Sequence, residues 1–72
     1  MNAQQFQILK AGELKVGKNQ IYYDENSSSN PSFIVEKYEW EENGVPMYSV
    51  VDSFFDFETA MKAAKNPRSY GR

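Results

Sequence analysis

The side chains that could carry out acid–base chemistry in this chain are carboxylates, and Asp52, Asp56 and Glu58 follow one another closely. Paired carboxylates can act as general acid and base or hold Mg²⁺. Asp56 and Glu58 also fit a structural role, because an N-cap and an acidic first turn stabilise the start of a helix. The chain has no histidine and no cysteine, so most components of an active site are missing. We therefore predict that the protein is not an enzyme and binds no metal ion or cofactor.

Two stretches match ligand-binding loops only in part. Gly12 to Asn19, GELKVGKN, is close to the P-loop pattern G-x-x-x-x-G-K-[ST], but Asn19 replaces the hydroxyl that would hold Mg²⁺. Asp24 to Glu36 is similar to a calcium loop, but Ser29 stands where such a loop needs glycine. The sequence therefore predicts ordinary turn glycines in the first stretch and a plain surface loop in the second.

A β-hairpin is the first element that must position the remaining candidates. Residues 33–42 and 45–52 are rich in aromatic and β-branched side chains. Between them, Asn43-Gly44 is typical of a type I′ turn, because both positions of that turn require a positive φ. The sequence therefore predicts two antiparallel strands joined by a two-residue turn.

A two-residue turn determines which side chains share a face of the hairpin, because side chains alternate along a strand. The predicted pairs are Trp40 with Met47, Tyr38 with Ser49, and Glu36 with Val51. One face then carries Ile34, Tyr38, Trp40, Met47 and Val51, and the other carries Phe33, Val35, Lys37, Glu39, Tyr48 and Val50. A longer turn would exchange the two faces, and the sequence leaves that alternative open.

One amphipathic helix follows the hairpin. Asp56 is the predicted N-cap, Phe55 precedes it as part of a hydrophobic staple, and Asn66-Pro67 ends the helix. Apolar residues recur with helical spacing and form one face: Phe57, Ala60, Met61 and Ala64. A helix this short is stable only when it packs against a sheet.

These elements predict an α+β protein in which a three- or four-stranded antiparallel sheet carries one C-terminal amphipathic helix. A strand at residues 19–24 and a polar loop at residues 24–32 precede the hairpin. Residues 1–72 form a single domain. Residues 19–65 make up the sheet and helix, residues 1–18 an N-terminal segment that the sequence leaves open, and residues 66–72 a frayed basic tail.

Charge is strongly segregated along the chain, although the net charge is only −2. Residues 1–23 carry three lysines and one glutamate, residues 24–58 carry nine acidic residues and one lysine, and residues 59–72 carry two lysines and two arginines. An acidic middle is either a solvated sheet surface that prevents edge aggregation or a face for a basic partner. We predict the second role, because tryptophan and tyrosine are frequent interface anchors. The predicted surface, the acidic aromatic face, consists of Glu36, Glu39, Trp40, Glu41, Glu42 and Tyr48.

The alternative prediction is a nucleic-acid-binding module in which folding brings the two basic ends of the chain together. Its contacts would be Lys10, Lys15, Lys18, Lys62, Lys65, Arg68 and Arg72. A third prediction is a homodimer formed through an edge strand. No apolar run approaches the ~20 residues of a membrane span, and the N-terminus lacks the apolar core of a signal peptide. We therefore expect a cytoplasmic protein with no membrane partner.

Antiparallel strands followed by a helix that begins SFFDFETA, at Ser53 to Ala60, resemble the small three-strand-plus-helix domains found at the N-termini of phage integrases and in other phage or mobile-element accessory proteins. The resemblance covers about residues 20–65 and lies in the order of elements. Integrase-type domains lay a basic sheet on DNA, whereas this sheet carries glutamates that phosphates would repel. We therefore expect a phage-type inhibitor or modulator, a class that includes anti-CRISPR-like and DNA-mimic proteins, that offers its acidic aromatic face to a basic, nucleic-acid-handling host protein.

Overall fold

The structure, a computed structural model, describes residues 7, 9, 12–24 and 32–70. The strands are β1 (Glu13–Val16), β2 (Asn19–Asp24), β3 (Ser32–Glu42) and β4 (Val45–Phe54), and the helices are α1 (Phe57–Lys65) and α2 (Pro67–Tyr70). The four strands form one antiparallel sheet in the order β1-β2-β3-β4. The predicted α+β class is confirmed. Most of the predicted polar loop lies outside the described residues, as do Lys10 and Arg72.

Two-residue turns join β1 to β2 and β3 to β4. Asn43 has a φ of 52° and Gly44 a φ of 81°, which is the combination that a type I′ turn requires. The predicted turn is therefore confirmed. Gly17 and Lys18 connect β1 to β2, and Gly17 also has a positive φ. The stretch that partly matches a P-loop is thus a strand and a hairpin turn.

A β-bulge at Glu39 changes the faces of the outer half of the β3–β4 hairpin. Trp40 pairs with Met47, as the turn predicts, but the next pair is Tyr38 with Tyr48 because Glu39 is an extra residue on β3. The pairing predicted for Tyr38 is therefore wrong. Because an extra residue shifts the alternation of side chains, Tyr38 and Trp40 lie on opposite faces and not together as predicted.

A second bulge, at Val51 of β4, changes the inner half of the hairpin. Glu36 pairs with Val50, so the predicted pairing of Glu36 with Val51 is wrong. The extra residue turns Val51 towards the face of Val35, where both side chains are buried. Ile34 lies on the opposite face, so the predicted grouping of Ile34 with Val51 is also wrong.

The helix α1 packs against one face of the sheet, called here the helix face, and the opposite face is called the far face. The helix face contributes Ile21, Phe33, Val35 and Val51 to the core, to which α1 adds Phe57, Ala60, Ala63 and Ala64, and Leu9 is buried in the same cluster. The alanines let the helix approach the strands closely. Burying a side chain of the size of valine or isoleucine stabilises a fold by about 1.5–3 kcal/mol. The helix face therefore supplies much of the stability of the domain.

The two ends of α1 lie where the sequence predicts them. Asp56 accepts hydrogen bonds from the backbone N–H and the side-chain hydroxyl of Thr59, both at 2.8 Å, and these bonds lower the pKa of Asp56 below its usual value. At the other end, the N–H of Asn66 donates to the carbonyl of Lys62 at 3.0 Å. Phe55 is 74% exposed and does not provide the predicted buried staple.

The second helix replaces part of the predicted frayed tail. Its first turn is supported by a hydrogen bond of 3.1 Å from the N–H of Ser69 to the carbonyl of Asn66. The ring of Tyr70 then packs edge-on against Phe54, with ring centroids 6.1 Å apart. Sequence patterning missed this helix because a single turn held by one aromatic contact has no periodicity to detect.

Candidate functional site

The outer part of the β3–β4 hairpin extends beyond the rest of the sheet. The pairing of β2 with β3 ends at Glu36, so residues 37–49 form a two-stranded ribbon, called here the hairpin arm. Most of the residues of the predicted acidic aromatic face lie on this arm. Its bulge and its tight turn determine how their side chains are arranged.

Trp40 and Met47 form a cross-strand pair on one face of the arm. Trp40 is 54% exposed, Met47 is 36% exposed, and Val45 beside the turn is 57% exposed. Exposed apolar side chains that cluster, and tryptophan above all, are typical of interaction surfaces. The arm therefore offers an apolar contact that no described residue covers.

Glu39, the bulged residue, is held close to this pair. The hydroxyl of Ser49 donates to Oε1 of Glu39 at 2.6 Å, and Nζ of Lys37 lies 3.3 Å from the same oxygen. The hydrogen bond from Ser49, with a smaller effect of Lys37, lowers the pKa of Glu39 below its usual value. Glu39 is therefore a fixed negative charge at the base of the apolar contact.

Two further glutamates lie at the tip of the arm. Glu42 pairs with Val45 and lies on the face of Trp40, whereas Glu41 pairs with Pro46 and lies on the opposite face. Both side chains are exposed. Within the described residues neither forms a hydrogen bond or an ion pair, so both carboxylates are available to a partner.

The far face of the arm has a different chemistry, because two lysines lie against two tyrosines there. The rings of Tyr38 and Tyr48 meet edge-on with centroids 6.0 Å apart. Nζ of Lys15 donates to the Tyr48 hydroxyl at 3.0 Å, and Nζ of Lys18 lies 5.5 Å from the centroid of the Tyr38 ring. These groups line a shallow concavity of about 300 Å³ together with Gly17, Glu41 and Pro46. The sequence did not predict this grouping, because it left open the structure of residues 1–18, which include β1.

Glu36 lies on the far face of the main sheet. The side-chain amide of Gln20 donates to its Oε1 at 2.7 Å. The pKa of Tyr22 is raised above its usual value, mainly by burial and also by the nearby charges of Glu36 and Asp24. The six residues of the acidic aromatic face are thus divided: Glu39, Trp40 and Glu42 lie on one face, and Glu36, Glu41 and Tyr48 on the other.

The basic residues of the alternative site are also divided between two sides of the sheet. Lys15 and Lys18 lie on the far face with the two tyrosines, whereas Lys62, Lys65 and Arg68 are exposed on the helices that follow β4. Lys10 and Arg72 lie outside the described residues. The described basic residues therefore do not form one continuous patch.

Asn19 positions the arm, a role that no sequence pattern predicts. Its side-chain Oδ1 accepts a hydrogen bond from the backbone N–H of Tyr38 at 2.9 Å. Its Nδ2 donates to the carbonyl of Ala64 in the last turn of α1 at 2.7 Å. Such contacts depend on the three-dimensional arrangement and leave no mark on residue periodicity.

Within the described residues, no group of three or more acidic, histidine or cysteine side chains could hold a metal ion. The helices in that part of the chain are all too short or too polar to cross a membrane. No protein-family model matches the sequence, and neither a curated protein nor a solved structure matches it. Inference about function therefore rests on the geometry and charge of the arm.

Proposed function

We propose that the protein is a small non-enzymatic binding protein that presents its hairpin arm to a basic protein. The partner is a nucleic-acid-handling host protein in the cytoplasm, and binding inhibits or modulates it, as expected of a phage-type inhibitor. The observation that carries this proposal is the exposed pair of Trp40 and Met47, beside the fixed carboxylate of Glu39 and the free carboxylate of Glu42.

An exposed tryptophan at the centre of a small patch is a strong candidate for a binding hot spot. Truncating such a residue commonly costs about 2 kcal/mol or more of binding free energy. The surrounding glutamates have another role, because charges at the rim of an interface mainly speed association and exclude partners of the same charge. Affinity should therefore depend on Trp40, and the salt dependence of association on the glutamates.

The arm is also well suited to rigid binding. The type I′ turn, the bond between Ser49 and Glu39, and the bond between Asn19 and Tyr38 fix its conformation before a partner arrives. A preformed contact surface loses less conformational entropy on association than a flexible loop does.

Capture of the partner from a lysate of the native cells tests the proposal, with the tagged protein, with Trp40→Ala and with Phe55→Ala. Phe55 is the matched control, because it is an exposed aromatic residue outside the arm. We expect the unmodified protein and Phe55→Ala to retain the same basic protein after nuclease treatment, and Trp40→Ala to lose most of it. Equal capture by Trp40→Ala would show that the arm is not the binding site.

A charge-reversal pair tests the electrostatic part. Glu41→Lys with Glu42→Lys reverses two charges at the arm tip, and Glu13→Lys with Glu58→Lys makes the same change in net charge elsewhere. We expect the first double variant to reduce the association rate at low salt, and the second to affect it much less. Equal effects would mean that only net charge matters.

The second candidate function is nucleic-acid binding through the far face of the arm. It is favoured by the position of Lys15 and Lys18 against Tyr48 and Tyr38, because ammonium groups beside aromatic rings suit a single-stranded nucleic acid. If this function is correct, the captured protein and nucleic acid should be lost from the capture experiment after nuclease treatment.

A further inference from the structure

The long edge strand β4 combines features that edge strands usually avoid. In the sheet order it lies at one edge, and no described strand pairs with its outer side. It is ten residues long and contains no lysine or arginine. Of the five large apolar side chains exposed in the described residues, three belong to β4 and a fourth, Trp40, pairs with Met47. Natural edges are usually protected by lysines, proline, bulges or short length, and of these β4 has Pro46 and the bulge at Val51.

The register shows which backbone groups of β4 point outward. In a two-residue hairpin the pair next to the turn exchanges hydrogen bonds, so Val45 faces β3 and Pro46 faces away. Proline fits this position, since it has no N–H to donate. Alternation then directs the N–H and C=O groups of Tyr48 and Val50 outward as well. The bond from the N–H of Tyr38 to Asn19 agrees, because it shows that the Tyr38–Tyr48 pair does not exchange backbone hydrogen bonds.

We propose that the partner binds by adding an extended, lysine- or arginine-containing strand to the outer edge of β4. This inference rests on the proposed function and specifies the form of the partner's contact. Main-chain hydrogen bonds to Tyr48 and Val50 would provide affinity, and side chains of the added strand would lie beside Met47 and Val50. Met47 lies on the face of Trp40 and Val50 on the far face, so both faces beside this edge are partly apolar.

Charge complementarity identifies the occupant. Of the bases at the arm, Lys37 is paired with Glu39 and Lys15 with Glu13, and Lys18 lies over the Tyr38 ring. Glu41 and Glu42 at the tip have no ion pair within the described residues, so basic side chains of an added strand meet opposite charge there. A second copy of this chain would instead bring a strand without any basic residue and a second set of glutamates. Like charges that face one another across an interface oppose association. A basic strand therefore fits this edge better than β4 of another copy.

Amide hydrogen exchange followed by NMR tests the proposal on the unmodified protein. The probe is a synthetic peptide of the length of β4 in which lysine alternates with threonine and valine, and its control alternates glutamate with the same residues. At a lysine-peptide concentration of about 100 times Kd, we expect exchange of the outward amides of Tyr48 and Val50 to slow by up to about a hundredfold. Met47 and Ser49 face β3, and their amides should change much less.

Three results would overturn the inference. The first is that the lysine peptide gives no protection, or no more than the glutamate peptide. The second is protection spread over the far face with Tyr48 and Val50 unaffected. The third is a dimer, detected by analytical ultracentrifugation, in which the amides of Tyr48 and Val50 already exchange slowly without peptide. That result would assign the edge to a second copy.

Two variants in the capture experiment separate this inference from the proposed function. Val50→Pro removes an outward N–H, whereas Val50→Ala removes the same exposed side chain and keeps the N–H. We expect Val50→Pro to lose the partner and Val50→Ala, which loses the side-chain contact but keeps the N–H, to lose much less of it, with circular dichroism confirming that both are folded. If Trp40→Ala loses the partner and folded Val50→Pro retains it, the arm binds but the strand addition is wrong. If Trp40→Ala retains the partner, the proposed function itself is wrong.

Discussion

Tyr38 donates its backbone N–H to the side chain of Asn19 at 2.9 Å, at the point where the hairpin arm leaves the sheet. The side-chain Nδ2 of Asn19 in turn donates to the carbonyl of Ala64 at 2.7 Å. The Asn19 side chain thus pairs with the N–H of Tyr38, which lies beyond the last residue of β3 that pairs with β2. It also pairs with the carbonyl of Ala64 in the last turn of α1, where carbonyls lack partners within the helix. The orientation of the arm is therefore coupled to the helix on the other side of the core.

Replacing Asn19 tests this coupling. We expect Asn19→Ala to lower the free energy of unfolding by about 1–3 kcal/mol, because two part-buried backbone groups lose their partner. Gln20→Ala is the control, since the described hydrogen bonds of the Gln20 side chain join it to the side chains of Lys15 and Glu36, which can turn to water. Urea unfolding measures both. A loss for Asn19→Ala no larger than that for Gln20→Ala would contradict the role given to Asn19.

The turn of the arm should be sensitive to glycine substitution. Gly44 has a φ of 81°, so Gly44→Ala should cost about 1–2 kcal/mol, which is the penalty for a side chain in the left-handed region. Gly12→Ala is the matched control, because Gly12 has no positive φ and open space around its Cα. Thermal unfolding compares the two. A control loss as large as that of Gly44→Ala would mean that turn strain is not the cause.

The bulge should be visible in the titration of Glu39. Its pKa lies below the usual value chiefly because the hydroxyl of Ser49 donates to it, and less because of Lys37. We expect Ser49→Ala to raise the pKa of Glu39 more than Lys37→Met does. Carboxyl ¹³C NMR during a pH titration measures both shifts. The reverse order would show that the ion pair, and not the hydroxyl, controls this carboxylate.

The N-cap of α1 makes stability depend on pH in the acidic range. The hydrogen bonds from Thr59 lower the pKa of Asp56 in the folded state, so the charged cap stabilises the fold above the unfolded pKa of about 4. That contribution is lost as the pH falls through the lower folded value. Asp56→Asn keeps an acceptor without the charge, and its stability relative to the unmodified protein should improve as the pH falls from 5 to 2. A pH-independent difference in melting temperature would contradict this account.

Local chemistry was sufficient to predict the hairpin turn and the helix. Asn43-Gly44 combines two residues that tolerate positive φ, and Asp56 with Asn66-Pro67 marks both ends of α1. These signals are local, because each depends on residues that are neighbours in the chain.

The faces of the hairpin could not be predicted, because alternation is counted from the turn and each bulge reverses it. Glu39 and Val51 have no sequence mark that distinguishes a bulged residue from its neighbours. The bulge brings Glu39 to the face of Trp40 and places Glu36 on the opposite face, and neither position follows from alternation alone. The long-range hydrogen bonds of the Asn19 and Lys15 side chains were also missed, since they join residues far apart in the chain.

Site-specific photocrosslinking tests most directly whether the arm is the binding site. A benzophenone side chain introduced in place of Trp40, in place of Met47 or in place of Phe55 reports what lies against each position in a native cell lysate. We expect the first two positions to crosslink the same basic protein after nuclease treatment, and position 55 to give little or none of it. Crosslinks only at position 55, or none at positions 40 and 47 while the tagged protein still captures its partner, would contradict the account.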